Sequence, residues 1–204
     1  TNKDDVTLII KTFDNPHNNV ESYLNYLRNL NPLSPDVLLI NKDLNEEEIK
    51  SLYLQSNLLV AASRGEGFGL PIAEAMLLDL PVITTNWGGQ KDFCNDRNSW
   101  LIDYKFVSST SHFNLDNSYW AEPSVEELSE KLIEIYNSPI EDIQFKTNYA
   151  KEVAKQLTWD KVVDETISFV KQDLSLSNKR KTRIGWISTW NERCGISSYS
   201  RNLI

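Results

Sequence analysis

The residues with the clearest capacity for chemistry lie together in Glu66-Gly67-Phe68-Gly69-Leu70-Pro71-Ile72-Ala73-Glu74-Ala75-Met76. The run follows a short apolar segment and leads into a helical pattern, so it reads as a strand–loop–helix junction. Backbone N–H groups at such a junction have no partner in the helix, and the helix N-terminus adds roughly half a positive charge. Together they suit an anion such as a phosphate or diphosphate. Gly67 and Gly69 leave out Cβ atoms that would hold the backbone away from a ligand. Pro71 stands at the start of the helix, where its missing N–H costs nothing. Glu66 in the loop and Glu74 about one turn into the helix are eight positions apart and reach one cleft at different depths. A carboxylate beside a diphosphate is repelled by it, so sugar hydroxyls are the better partners for these two acids.

The elements that must position this loop follow from the hydrophobic pattern. Val6 to Ile10, Val37 to Ile40, Leu58 to Ala62, Pro81 to Thr85 and Trp100 to Ile102 are short, continuous apolar runs, the first two reading as buried strands. Between them, Val20, Tyr23, Leu24, Leu27 and Leu30 fall at helical spacing, and Asn45 followed by Glu46, Glu47 and Glu48 caps a helix to about Ser56. The motif helix runs from Pro71 to about Asp79, and Gly88-Gly89 makes a turn. Buried strands alternating with amphipathic helices predict an α/β fold, a Rossmann-like doubly wound parallel sheet with ligands at the carboxyl ends of its strands. Residues 103–119 read as irregular, and helices are expected at about 124–137, 141–156 and 159–173, the last capped by Thr158.

Composition narrows the classes. The chain has 204 residues, 40% hydrophobic and 25% charged, which fits a globular protein with its own core. Twenty-one basic and 29 acidic residues give a net charge of −8, which argues against a nucleic-acid partner. Cys94 and Cys194 are too few for a disulfide framework and suggest a reducing, cytoplasmic setting. His17 and His112 are not spaced as zinc ligands, and no Asp-x-Asp cluster offers another metal site. No apolar run approaches the roughly 20 residues of a membrane span.

Glu66-x7-Glu74 within this run, followed by Pro81-Val82-Ile83-Thr84 and Gly88-Gly89, resembles the donor-binding half of retaining GT-B glycosyltransferases, most of all the group 1 family, also called family 4. The resemblance extends over about residues 6–175. It implies the C-terminal half of a GT-B fold, incomplete at its N-terminal edge, and transfer of a sugar from a nucleotide-diphosphate sugar to a sugar or glycoconjugate acceptor, as in polysaccharide synthesis. By the same resemblance, Glu66 is the catalytic acid beside the transferred sugar, whether as nucleophile or as positioning group, with positioning preferred. Glu74 binds the ribose, and the backbone of Gly67, Phe68, Gly69 and Leu70 holds sugar hydroxyls and diphosphate. Asn41, Lys42 and Leu44, in the loop Asn41-Lys42-Asp43-Leu44, lie near the base. No metal and no further cofactor is implied. An acceptor domain is expected upstream, a place at the inner membrane surface is compatible with the activity, and the piece alone is expected to be inactive. The Arg and Lys with which the family neutralises the diphosphate have no assigned counterpart here; Arg64, just ahead of the motif, is a nearby positive charge.

Residues 176–182 read as a polar, locally basic linker. Arg183 to Trp190 and Cys194 to Ser200 resemble the first strand, Gly-containing loop and first helix of another such enzyme. Residues 183–204 are therefore expected to open a second glycosyltransferase module, in preference to adding a strand–helix unit to the first. The alternative function is a binding module that keeps the nucleotide-sugar site without turnover. A dinucleotide-dependent oxidoreductase fares worse, since no Gly-x-Gly-x-x-Gly follows the first strand. Phe68, Trp87 and Trp120 read as core or rim packing rather than stacking groups. Cys94 and Cys194 read as buried thiols, and His17 as an exposed loop residue.

Overall fold

A computed structural model describes residues 5–110 and 117–176. They divide into two units, one ending at Ala154 and one starting at Lys155. The first contains β1 (Thr7–Thr12), α1 (Val20–Leu30), β2 (Asp36–Asn41), α2 (Glu46–Gln55), β3 (Leu59–Ala61), α3 (Leu70–Leu77), β4 (Val82–Thr85), a 3-10 turn (Gly89–Asp92), β5 (Trp100–Ile102), β6 (Tyr104–Ser108), β7 (Tyr119–Pro123), α4 (Val125–Asn137) and α5 (Ile140–Ala154).

The parallel strands form two hydrogen-bonded sets. β1 pairs with β2, and β4 lies between β3 and β5. Thr84 stands opposite both Ala61 and Leu101, so the carboxyl ends of β3, β4 and β5 share one edge. The loops that leave this edge carry Glu66 and Gly88.

The core sits around α3 and β4. Ile72, Ala73, Ala75 and Met76 of α3 are buried with Ala150 and Ala154 of α5, and Tyr53, Leu59 and Ala61 pack against them. Four alanines at this contact let α3 and α5 approach closely. Full burial of side chains such as Ile72 and Met76 contributes about 1.5–3 kcal/mol each. Every residue of β4 is buried, and Ile135 of α4 closes over Ile83, Trp100 and Ile102 on the other side. The sequence also suggested that β1 and β2 are buried. Instead Leu8 and Leu38 remain about half exposed, because this two-stranded set lies outside the α3–α5 core.

Helix α2 begins with a complete capping box. Glu48 N–H donates to Asn45 Oδ1 at 2.9 Å, and Asn45 N–H donates to Glu48 Oε2 at 2.8 Å. Helix α3 ends where Asp79 turns to a positive φ of 60°, and Lys151 of α5 pairs with its carboxylate.

The stretch expected to be irregular over 103–119 contains, among its described residues, a strand, β6, and the first residue of another, β7. β6 and β7 pair antiparallel, from Tyr104 opposite Pro123 to Ser108 opposite Tyr119. Their apolar residues are mainly aromatic and partly exposed, so the strands lack the continuous aliphatic signature of β1 to β5. In the second unit, α6 (Trp159–Leu176) starts at Thr158, whose Oγ1 accepts from Lys161 N–H at 3.3 Å. The helix takes in Leu176, which the sequence had assigned to the linker; residues 177–182 and the strand and helix expected over 183–204 lie outside the described residues. No helix among the described residues is long and apolar enough to cross a membrane.

Candidate functional site

The Glu66 loop is fastened from several directions. Thr85 Oγ1, at the end of β4, donates to Ser63 O at 2.7 Å. Ala121 N–H of β7 donates to Arg64 O at 3.2 Å, and Gly89 N–H donates to Glu66 O at 2.8 Å. Gly89 makes the last contact possible, since a Cβ there would run into the Gly67 carbonyl and stand 3.0 Å from Phe68 Cα. Beneath it lies Gln90, fully buried, whose side-chain N–H₂ donates to Thr85 O at 3.0 Å and Trp87 O at 2.8 Å. A buried amide spanning two backbone carbonyls fixes the turn between β4 and the loop.

Within the loop, Glu66 is half-buried and its Oε1 accepts from Ser63 Oγ at 2.7 Å. The space around Gly67 is open, with no atom within 4 Å of where a Cβ would stand. Gly69 differs. It is buried with φ at +91°, and a Cβ would meet Gln90 Cβ at 3.1 Å and Ile72 Cδ1 at 3.2 Å. Its missing side chain therefore serves packing and the left-handed entry to α3 rather than approach of a ligand. Gly69 O accepts from Ile72 and Ala73 N–H, at 3.0 and 3.2 Å. No backbone hydrogen bond among the described residues takes up the N–H groups of Gly67, Phe68, Gly69 or Leu70. Those groups, at the N-terminus of a helix, are the natural partners of an anion.

Glu74 is exposed on α3, and its Oε2 accepts from Tyr53 OH at 3.3 Å. Burial first, then the Glu74 charge, pushes the Tyr53 phenol up to about 12, so it remains a donor to the carboxylate. Tyr53 was not singled out in the sequence, where it reads as one more apolar position of α2. Phe68 packs on Phe93 with ring centroids 5.1 Å apart. Leu70 is well exposed at the start of α3.

Arg64 does not lend its charge to the loop. Its guanidinium forms a two-point ion pair with Glu122 of β7, Nη2 to Oε1 at 2.8 Å, and lies 4.4 Å from the centre of the Trp120 ring. The hydrogen bond from Arg64 holds the Glu122 carboxyl below its ordinary value. The pair ties the β6–β7 hairpin to the loop.

The Asn41 loop lies at the carboxyl end of β2. Asn41 lines a polar cleft of about 210 Å³ with Thr12, Asp14, Asn18 and Ser22. Asn18 Nδ2 donates to Phe13 O at 2.6 Å and Thr12 Oγ1 at 3.1 Å, which shapes its floor. Lys42 pairs with Glu48 at 3.6 Å, and Leu44 is half-buried. Among the described residues no three His, Cys, Asp or Glu side chains gather as metal ligands would. Cys94 is a buried free thiol, pushed up to about 12 chiefly by burial.

Comparison with known proteins gives a consistent result. Residues 18–153 match the family model described as "Glycosyl transferases group 1", well over half of the chain. A serotype-specific mannosyltransferase of Escherichia coli, WbdA, is 40% identical over 65 residues, 32% of this chain and 8% of that enzyme's length. Anabaena HepE, crystallised in complex with UDP-glucose, shares the fold with a TM-score of 0.57 at 17% identity, over 82% of this chain and 41% of its own. The C-terminal domain of the group 1 protein LpcC from Francisella tularensis gives 0.55 at 17% identity, over 74% of this chain and 84% of that domain. The chain thus spans less than half the length of WbdA and of HepE. These likenesses agree with a Rossmann-like α/β half-domain of the GT-B kind.

Proposed function

The chain belongs to the group 1 glycosyl transferases, and from that premise we propose that its first unit holds a nucleotide-diphosphate sugar for transfer to a saccharide or glycoconjugate acceptor. The observation that carries this reading is the Glu66–Leu70 loop, with free backbone N–H groups at the start of α3 and a carboxylate on either side. The N–H groups of Gly67 to Leu70 receive the diphosphate. Negative charge grows on that diphosphate as its bond to the sugar breaks, and fixed donors stabilise it without needing to reorganise. Glu66, held by Ser63, orients the transferred sugar through its hydroxyls. Glu74, held by Tyr53, accepts from the ribose hydroxyls. The cleft beside Asn41, with Lys42 and Leu44 in the following loop, faces the base.

The reaction retains the anomeric configuration and runs without a metal, with a second domain completing the acceptor site. HepE, whose chain is more than twice as long as the part matched here, binds UDP-glucose, and WbdA is a mannosyltransferase; both support a sugar nucleotide as the donor. A cytoplasmic setting belongs to the same reading. One observation favours binding without turnover instead: Arg64, the cation nearest the loop in sequence, is already neutralised by Glu122. Donor hydrolysis or transfer, assayed with UDP-, GDP- and ADP-sugars on the intact protein, decides between the two. Glu74→Ala should weaken nucleotide binding in either case, and unchanged affinity would contradict its role. An inverted product would refute retention.

A further inference from the structure

Beside the Glu66 loop lies a set of aromatic rings to which the donor reading assigns no role. The pairing of β6 with β7 sorts their side chains onto two faces. Lys105, Val107, Trp120 and Glu122 share one face, which Arg64 covers through its contacts with Trp120 and Glu122. Tyr104, Phe106 and Tyr119 share the other, with Ser108, Ala121 and Pro123. Trp87 meets this second face, its ring centre 5.5 Å from Tyr104 and 5.0 Å from Phe106. Tyr104 and Phe106 are 5.2 Å apart. The rings are not buried by these contacts: Trp87 is 44% exposed, Phe106 55% and Tyr119 62%.

The position of this face is fixed. Trp87 O is bonded to the buried Gln90 amide, and Trp87 precedes Gly88, where a Cβ would stand 3.2 Å from both Glu66 N and Glu66 O. The rings therefore begin one residue away from the backbone that carries Glu66. At their edge Asn86 approaches Asp103, Nδ2 to Oδ1 at 3.5 Å, and both side chains retain hydrogen-bonding capacity.

We propose that this aromatic face is a saccharide-binding subsite that receives the acceptor next to the donor loop. The assignment rests on the donor reading of the Glu66 loop. Three features select a saccharide. Among the described residues, the strand positions of this face are Tyr104, Phe106 and Tyr119 with Ser108, Ala121 and Pro123, so its apolar surface is offered as ring faces rather than as aliphatic side chains. Its strand positions among the described residues carry no Lys or Arg, and the chain's charge is −8, which disfavours a phosphate-rich partner. Aromatic faces attract the C–H side of a pyranose, while the amide and carboxylate at the rim can bind its hydroxyls. Rings already held in place bind without first having to be ordered.

The test uses mannotriose, maltotriose and cellotriose as saccharide probes and UDP as a separate nucleotide probe, each titrated into the full chain and followed by saturation-transfer NMR and calorimetry. At least one trisaccharide should bind. Trp87→Ala and Phe106→Ala should each weaken that binding about five-fold or more, with Trp87→Phe recovering most of it and UDP affinity unchanged. Phe145→Ala, an exposed ring on α5, is the control and should have no effect. Thermal melts identify any variant that has lost its fold, and Phe106→Ala, the more exposed of the two rings, keeps the test decisive if Trp87→Ala unfolds. Binding of UDP but of none of the three trisaccharides overturns the subsite, as does trisaccharide affinity that both alanine variants leave within about two-fold of the parent. Failure of UDP to bind, followed by failure of GDP and of ADP, strikes the donor reading instead, and the trisaccharide titrations still decide this one.

Discussion

Replacing Gly89 by alanine tests whether the candidate donor loop is held in place as described. The new methyl group would meet the Gly67 carbonyl, with Gly67 C at 2.6 Å and Phe68 Cα at 3.0 Å, and all of these are backbone atoms that cannot swing aside. Overpacking of this kind costs about 1–3 kcal/mol. Any relief requires the loop to move outward, which breaks the 2.8 Å bond from Gly89 N–H to Glu66 O and removes about 0.5–1.5 kcal/mol more. The sum is about 1.5–4.5 kcal/mol, which in a domain of this size lowers Tm by roughly 3–18 °C. Gly67→Ala is the matched control, because its methyl group enters open space and its φ is not in the left-handed range. It should leave Tm unchanged or raise it slightly, while obstructing a ligand that approaches the loop. Circular dichroism melts and calorimetric titration with UDP, GDP and ADP read out both effects. Gly89→Ala should lose stability, and Gly67→Ala should keep stability but lose affinity for whichever diphosphate binds. A Gly89→Ala protein with the parent's Tm would refute the packing argument, and a Gly67→Ala protein with the parent's affinity would refute the direction of ligand approach.

Three further outcomes follow from particular contacts. Asn45→Ala removes the side-chain acceptor of the α2 capping box, leaving Glu48 N–H without its cap, and should cost about 0.5–2 kcal/mol in urea unfolding, with Asn45→Asp close to the parent. Glu122 is held below its ordinary carboxyl value by Arg64, so the stability it adds is complete above about pH 4.5 and declines as pH falls through its lower folded value. The stability difference between parent and Glu122→Gln should therefore be constant above that pH and shrink below it in acid titrations; a difference that does not depend on pH would contradict the pairing. Tyr53→Phe frees Glu74 and should weaken nucleotide binding, through the ribose, about two- to five-fold in calorimetry with little change in Tm. In the parent, the absorbance of the Tyr53 phenol should change only near pH 12, so the stability it lends is intact below about pH 10 and is lost as pH rises toward that value.

The sequence was most informative where backbone and side-chain signals coincide. Asn45 with Glu48, Pro71 after Gly69, and the aliphatic runs at residues 82–83 and 100–102 each carry a local cause for the element they form, and the elements match. The aromatic hairpin was not legible because its strands, Tyr104-Lys105-Phe106-Val107-Ser108 and Tyr119-Trp120-Ala121-Glu122-Pro123, are neither continuous aliphatic runs nor clean alternations of apolar and polar residues. Pro123 and Glu122 are also unusual in a strand, tolerated there because Glu122 pairs with Arg64 at the hairpin's side. The candidate site divides in the same way. Glu66, Glu74 and the glycines stand in one continuous run, so their grouping was readable. Tyr53, Thr85, Gln90 and the packing role of Gly89 were not, because they reach the loop from segments remote in sequence and no local pattern marks a buried amide that bonds two distant carbonyls. Arg64 shows the converse: its closeness in sequence suggested help with a diphosphate, and the fold gives its charge to Glu122 instead.

The central claim is that the N–H groups of Gly67, Phe68, Gly69 and Leu70 receive a nucleotide diphosphate. It is tested most directly by amide NMR of the isotope-labelled chain, titrated in turn with UDP, GDP and ADP. With one of these, the four amides should shift together and become protected from hydrogen exchange, as free donors do when they gain an acceptor. Saturable binding that leaves these amides unmoved, or no binding of any of the three nucleotides, would contradict the account.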